Sequence, residues 1–224
     1  MIDQLLTQEI QVEWPGWPLT SNPFGDEFDA DARRRMVIGG RRIVPFLQKH
    51  HQFLDGNILE MGPFFNPMMG SEEMVPYETE NTRTFYLEND PHVIDWLKEK
   101  TGNEIIDLDI NKDAFDEQLH AALKKEGEEE IRFNAIIISQ LINYIDFRAL
   151  LRYLRGILND GGAIFINNVV DYGLPALFSE GRPRSNDEVL QAALALGYKV
   201  SDQKELPMLF DREKYPRYIL VLTK

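Results

Sequence analysis

The residues best placed to do chemistry lie in one stretch, Asn57-Ile58-Leu59-Glu60-Met61-Gly62-Pro63-Phe64-Phe65-Asn66-Pro67. A short apolar run ends in an acid and a glycine, and a turn too rich in proline to continue a strand follows. Asn66-Pro67 then pairs a helix N-cap with the residue best suited to the first helical position. The stretch reads as strand, tight loop and helix start. At such a junction, on the carboxyl edge of an open α/β sheet, small molecules bind against backbone N–H groups and the positive end of a helix. A second position is Glu88, which closes the run Thr84-Phe85-Tyr86-Leu87 ahead of Asn89-Asp90-Pro91. An acid at the end of a second strand suits a bound nucleoside, because a carboxylate accepts hydrogen bonds from both ribose hydroxyls. The plain alternative is a solvated acid favoured by the dipole of the next helix.

Composition narrows the chemistry further. The chain of 224 residues is 43% hydrophobic and 27% charged, long enough for one sizeable core and too apolar to be disordered. Its formal net charge of -13 opposes binding to a phosphate backbone or an anionic membrane. The absence of cysteine removes disulfides, thiolate nucleophiles and Cys-bound metals together. No apolar run approaches the ~20 residues that span a bilayer, and Met1-Ile2-Asp3-Gln4 is not a basic region followed by an apolar segment. A cytoplasmic protein with neither nucleic acid nor membrane as partner is expected. None of the four histidines, His50, His51, His92 and His120, sits in a motif, so no catalytic base is named. The acidic run Glu126-Gly127-Glu128-Glu129-Glu130 reads as a solvated helix end and not as a metal site.

The elements that must position these residues follow from periodicity. Residues 1 to about 30 are turn-rich, and Trp14 and Trp17 either lid a pocket or pin the arm to the body. A helix is expected from there to about Phe53, kinked or split at Pro45. Its Arg33, Arg34, Arg35, Arg41 and Arg42 form a solvated basic face or hold a ligand carboxylate. Residues 68 to 82 have poor helical periodicity. A strand over 84–88 precedes a helix from about His92 to Lys100, and Glu104 to Ile110 forms a third strand. A helix spans 113–126, and Phe133 to Ser139 is a near-continuous apolar strand, as in the buried middle of a parallel sheet. A helix from Phe147 to Leu158 runs into the turn Asn159-Asp160-Gly161-Gly162 and a strand from Ala163 to Asn167. After the loop Asp171 to Ser185 comes a helix to about Leu196, stopped by Gly197. Two last strands, Tyr198 to Val200 and Tyr218 to Leu222, flank Leu206-Pro207-Met208-Leu209-Phe210.

Glu60-x-Gly62 at the end of a first strand resembles the nucleotide loop of class I S-adenosylmethionine-dependent methyltransferases, Glu/Asp-x-Gly-x-Gly-x-Gly, with Phe64 and Asn66 at the second and third glycines. Asn tolerates positive φ but Phe does so rarely, so the loop is expected to take a different path around Phe64. Glu88-Asn89-Asp90-Pro91, the pair Asn134 and Leu141-Ile142-Asn143-Tyr144-Ile145, and the Gly161-Gly162 turn resemble later motifs of the same family, in the same order over residues 57 to 224. The resemblance implies a Rossmann-like, seven-stranded, mostly parallel sheet with a C-terminal antiparallel hairpin. Residues 1–55 would be an N-terminal arm and helical cap, and 56–224 the catalytic domain. It implies S-adenosyl-L-methionine as cofactor and a small-molecule methyl acceptor. The cofactor would lie against Glu60, Gly62, Pro63, Phe64 and Asn66, with Glu88 and Asn89 at the ribose. Asp109 and Ile110 would face the adenine, with Asp107 as competitor for that role. Ser139 and Gln140, with Asn143 and Tyr144, would face the transferred methyl group. Two other readings stay open: a methyltransferase-like domain that binds a nucleoside or protein without turnover, and a nicotinamide-dependent oxidoreductase lacking Gly-x-Gly-x-x-Gly.

Overall fold

The computed structural model describes residues 37–111, 114–124, 130–168, 181–208 and 216–224. Trp14, Trp17, Arg33, Arg34, Arg35 and most of the Asp171 to Ser185 loop lie outside them, as does the side chain of Tyr144. Among the described residues the sheet has seven strands: β1 Asn57–Met61, β2 Arg83–Glu88, β3 Glu104–Asp107, β4 Phe133–Ser139, β5 Leu158–Asn168, β6 Lys199–Leu206 and β7 Arg217–Thr223. Their order is β3-β2-β1-β4-β5-β7-β6, parallel from β3 to β5, with β7 antiparallel to β5 and β6. This is the expected Rossmann-like sheet with its terminal hairpin.

Alternation along the strands builds two cores. Leu59 and Met61, Phe85 and Leu87, Ile136 and Ile138, Ile164 and Ile166, and Leu220 and Leu222 share one face. There they meet the helices α3 Phe115–Leu123, α4 Phe147–Ile157 and α5 Asn186–Ala195. The intervening residues Ile58, Ala135, Ile137, Ala163, Phe165, Ile219 and Val221 face the other side, against Ile43, Leu47, Met68, Met69 and Met74. Period two with both faces covered is what a central parallel sheet requires. In α4, Phe147, Leu150, Leu151, Leu154 and Ile157 are buried at helical spacing, and the Asp146 side chain accepts the N–H groups of Arg148 and Ala149 as N-cap. The helix α2 Pro91–Thr101 starts the same way: Asp90 accepts from His92 and Val93, and Pro91 lies in the first turn.

Several expectations are corrected. The N-terminal helix is split, but before Pro45: a helical segment over 37–41 gives way at 42–43 to α1 Val44–Lys49, with Pro45 in its first turn, where its missing N–H costs nothing. Asn66-Pro67 does not start a helix. The β1 to β2 connection contains only a short 3-10 turn, Val75–Tyr77, and the Asn66 side chain, bonded to the N-terminal segment, caps nothing. The Asn159 to Gly162 turn belongs to β5, which follows α4 directly, and Gly161 supplies the positive φ of +79° in it. β3 stops at Asp107, so Asp109 and Ile110 lie in the loop beyond it. β6 reaches Leu206, further than its apolar start predicts, because beyond a register shift at Ser201 the residues Asp202 to Leu206 pair with β7 whatever their polarity.

Candidate functional site

The register shows how the strands deliver polar groups to one place. Tyr86, Glu60, Ile137, Phe165 and Val221 form one cross-strand row. Two residues further toward the carboxyl edge, on the same face, stand Glu88, Gly62, Ser139 and Asn167. The hydrophobic pattern thus ends on each central strand in a polar residue or a glycine, and together these line one edge.

Glu60 is 1% exposed, and its carboxylate accepts the N–H of Met68 at 2.7 Å and of Met69 at 3.0 Å. These donors would otherwise be orphaned in a connection without a helix, so Glu60 does the work of the missing helix. Burial pushes its pKa up to about 7, against the two backbone N–H groups and the Arg41 charge that favour the anion. The Tyr86 hydroxyl donates to Met69 O at 2.8 Å, pinning the same loop from β2. Asn66 accepts from Arg41 Nε at 3.0 Å and donates to Val37 O, and Arg41 also pairs with Glu73. Arg42 donates to Pro207 O. Both arginines are therefore engaged within the protein.

Gly62 and Phe64 both adopt left-handed conformations, φ +59° and +53°, so Phe64 takes the positive φ that its residue type was expected to avoid. Its ring packs 4.8 Å from Phe65, which meets Trp96 edge-to-face in turn, and that cluster holds the strained residue in place. Phe65 is core, and Pro63 is buried beside it.

Glu88 links the two loops. One oxygen accepts from the N–H of Asn89 at 2.8 Å and of Asp90 at 3.2 Å, the other from the N–H of Phe64 at 3.3 Å. Burial raises its pKa, opposed by those three backbone bonds. Asn89 is exposed. Leu108 N–H donates to Glu88 O, which brings the half-buried Asp109 and Ile110 beside the β2 end, whereas Asp107 is exposed. Asp109 accepts from Asn111 N–H. At β4, a Cβ on Gly62 would lie 3.2 Å from Leu141, so the loops after β1 and β4 touch. Ser139 and Gln140 follow on that side, and Asn143 is buried in the 3-10 turn Ile142–Tyr144. Asn134, by contrast, lies near the start of β4 and bonds Asn159, away from the site.

No family model matches the sequence, and no curated protein matches it. Solved structures do. The 1,6-didemethyltoxoflavin-N1-methyltransferase of Burkholderia thailandensis, crystallised with 1,6-didemethyltoxoflavin and S-adenosylhomocysteine, is similar at TM-score 0.58 and 12% identity, over 88% of this chain and 84% of that one. An S-adenosylmethionine-dependent methyltransferase of Mesorhizobium loti gives 0.57 and 13%, over 80% and 96%. An O-methyltransferase of Bacillus cereus, in complex with S-adenosylhomocysteine, gives 0.52 and 15%, over 100% and 90%. The fold is that of the class I S-adenosylmethionine-dependent methyltransferases.

Within this methyltransferase fold, three residues at the edge escape sequence reasoning. Asn167 is 1% exposed, and its Nδ2 donates to Gly39 O and Gly40 O at 2.9 Å each and to Ser139 Oγ at 3.2 Å. Asn168 donates to Asn186 Oδ1. Arg217, also 1% exposed, donates to Gln140 Oε1 at 3.0 Å. The available signal was a pair of amides closing the apolar run Ala163 to Ile166, the same pattern that exposed Glu88. Arg217 gave no signal, because only the antiparallel sense of β7 brings its start to this edge.

Proposed function

We propose that the protein is an S-adenosylmethionine-dependent methyltransferase acting on a small-molecule acceptor by in-line methyl transfer. The observation that carries this reading is the carboxyl edge of β1 and β2. A left-handed loop at Gly62 and Phe64 there faces a buried acid, Glu88, on a fold shared with methyltransferases. These residues fit a nucleoside: the loop lets a ligand approach backbone, and Glu88 reaches the space beside it. Bound S-adenosylmethionine would supply an activated sulfonium methyl, so the chain's task is alignment and exclusion of water, worth ~7 kcal/mol or more when well oriented.

In this reading Glu60 holds the loop and Glu88 accepts the ribose hydroxyls. Gly62, Pro63, Phe64, Asn66 and Asn89 frame the cofactor, and Asp109 and Ile110 flank the adenine. Ser139 and Gln140 meet the methyl end. Residues 1–55 act as a cap on the domain of residues 56–224. Among the described residues no helix is long and apolar enough to cross a membrane. That observation and the charge of -13 support a cytoplasmic protein whose partner is a small molecule and neither a nucleic acid nor a membrane.

Calorimetric titration with S-adenosylmethionine, S-adenosylhomocysteine and NAD tests the proposal. Binding of the first two is expected, and their failure to bind defeats it. One observation favours a second reading, a nucleoside-binding domain without turnover: both Glu88 oxygens are already occupied by backbone N–H groups of this chain, so a ribose must share them. Binding with no methyl transfer to any of a broad acceptor panel would support that reading instead.

A further inference from the structure

Arg217 opens β7, and because β7 runs antiparallel to β5 its first residue lands where the parallel strands end. The buried guanidinium donates from Nη1 to Gln140 Oε1. Gln140 is the first residue past β4 and has φ +63°, a conformation that a non-glycine residue keeps only where its surroundings over-determine it. The backbone supplies one restraint, the Gln140 N–H donating to Asn167 O at 2.8 Å. The side chain supplies the others. Its Oε1 is held by Arg217, and its Nε2 sits 2.9 Å from where a Cβ on Gly40 would stand. The guanidinium itself occupies the space a side chain on Gly39 would need, its Nη2 in contact with that Cβ position. The Gln140 amide is therefore held between a buried cation on β7 and a glycine-only surface of the 37–41 segment.

We infer that Arg217 is a positioning residue of the ligand site: it locks Gln140 in the left-handed turn and thereby sets the backbone and the amide that the end of β4 presents to the ligand. This rests on the methyltransferase reading of the site. A purely structural buried arginine would support the hairpin without controlling the turn.

A double-mutant cycle separates the two, read out by S-adenosylhomocysteine affinity and by amide hydrogen exchange over residues 139–143. Arg217→Met is expected to weaken S-adenosylhomocysteine binding roughly 10-fold, about 1.4 kcal/mol, with Arg217→Lys intermediate. It should also accelerate exchange at Gln140. In a Gln140→Gly background glycine takes the positive φ unaided, so the same Arg217→Met change should alter affinity less than about 2-fold. Equal losses in both backgrounds, or a fall in melting temperature with affinity and exchange unchanged, would overturn the inference. If Arg217→Met does not fold, Arg217→Lys carries the same cycle. If the wild type binds no S-adenosylhomocysteine, the methyltransferase reading fails while the exchange data still decide whether Arg217 holds the turn.

Discussion

The carboxyl edge of the sheet has two halves of opposite chemistry. Where β1 and β2 end, the buried polar groups are carboxylates, Glu60 and Glu88, and they gather backbone N–H groups from Phe64, Met68, Met69, Asn89 and Asp90. Where β5 and β7 meet, the buried groups are Asn167, Asn168 and Arg217. Asn167 gathers backbone carbonyls, those of Gly39 and Gly40. One half ties down loops by their donors and the other ties down the N-terminal segment by its acceptors. The acidic half gathers donors of the loops after β1 and β2, and the amide half holds the 37–41 segment. In the acidic half, burial pushes the Glu60 pKa up to about 7.

The largest expected effect breaks the acidic half at its root. Glu60→Ala leaves two buried N–H donors without their acceptor and should cost roughly 2–4 kcal/mol, measured by denaturant unfolding. An unchanged midpoint would show that the loop is held by something else. The same carboxyl predicts a pH dependence. Its folded-state pKa, about 7, lies above the unfolded value of 4.5, so the folded state binds the proton more tightly. That contribution is fully present below about 4.5 and is lost as the pH rises to about 7 and beyond, by on the order of 3 kcal/mol. Burial raises the Glu88 pKa as well, which adds a loss of the same sign. Glu60→Gln should flatten the stability profile across this window, and a profile as steep as the wild type's would refute the assignment.

The amide half should behave differently. Asn167→Ala, which removes two bonds to the N-terminal segment, is expected to cost ~1–2 kcal/mol by the same amount at pH 5 and pH 8. A pH-dependent loss would mean the halves are not separable. On the ligand, Glu88→Ala should weaken nucleoside binding by at least ~1 kcal/mol in calorimetry, and an unaltered affinity would remove Glu88 from the ribose. The smallest effect decides between the two acids of the third strand's end. Asp109→Ala should lower S-adenosylhomocysteine affinity by less than about 10-fold and Asp107→Ala not measurably, since Asp107 is exposed. The opposite order would exchange their roles.

The sheet was legible because its signals are local. Ile58 to Met61, Phe85 to Leu87 and Phe133 to Ile138 alternate or run apolar over lengths that only strands use, and Asp90-Pro91 and Ser185 mark helix starts by residue type alone. The same local logic misread Asn66-Pro67, because an asparagine that resembles an N-cap was recruited by Arg41 and Val37, 25 and 29 residues away. Phe64 was misjudged for a related reason. Intrinsic preference opposes its positive φ, but packing against Phe65 and the bond to Glu88 outweigh that preference.

By itself the sequence determined the order of the seven strands along the chain and the helices after β2, β4 and β5, the acid at the end of β2 and the polar close of β4, because these follow from the period of burial and from residue types at element ends. The tertiary structure alone decided that Glu60 would stand in for a helix, that Asn167 would clamp the N-terminal segment, and that Arg217 would arrive at the same edge. Each of those depends on register and strand direction, which bring together residues that nothing in their own neighbourhoods relates.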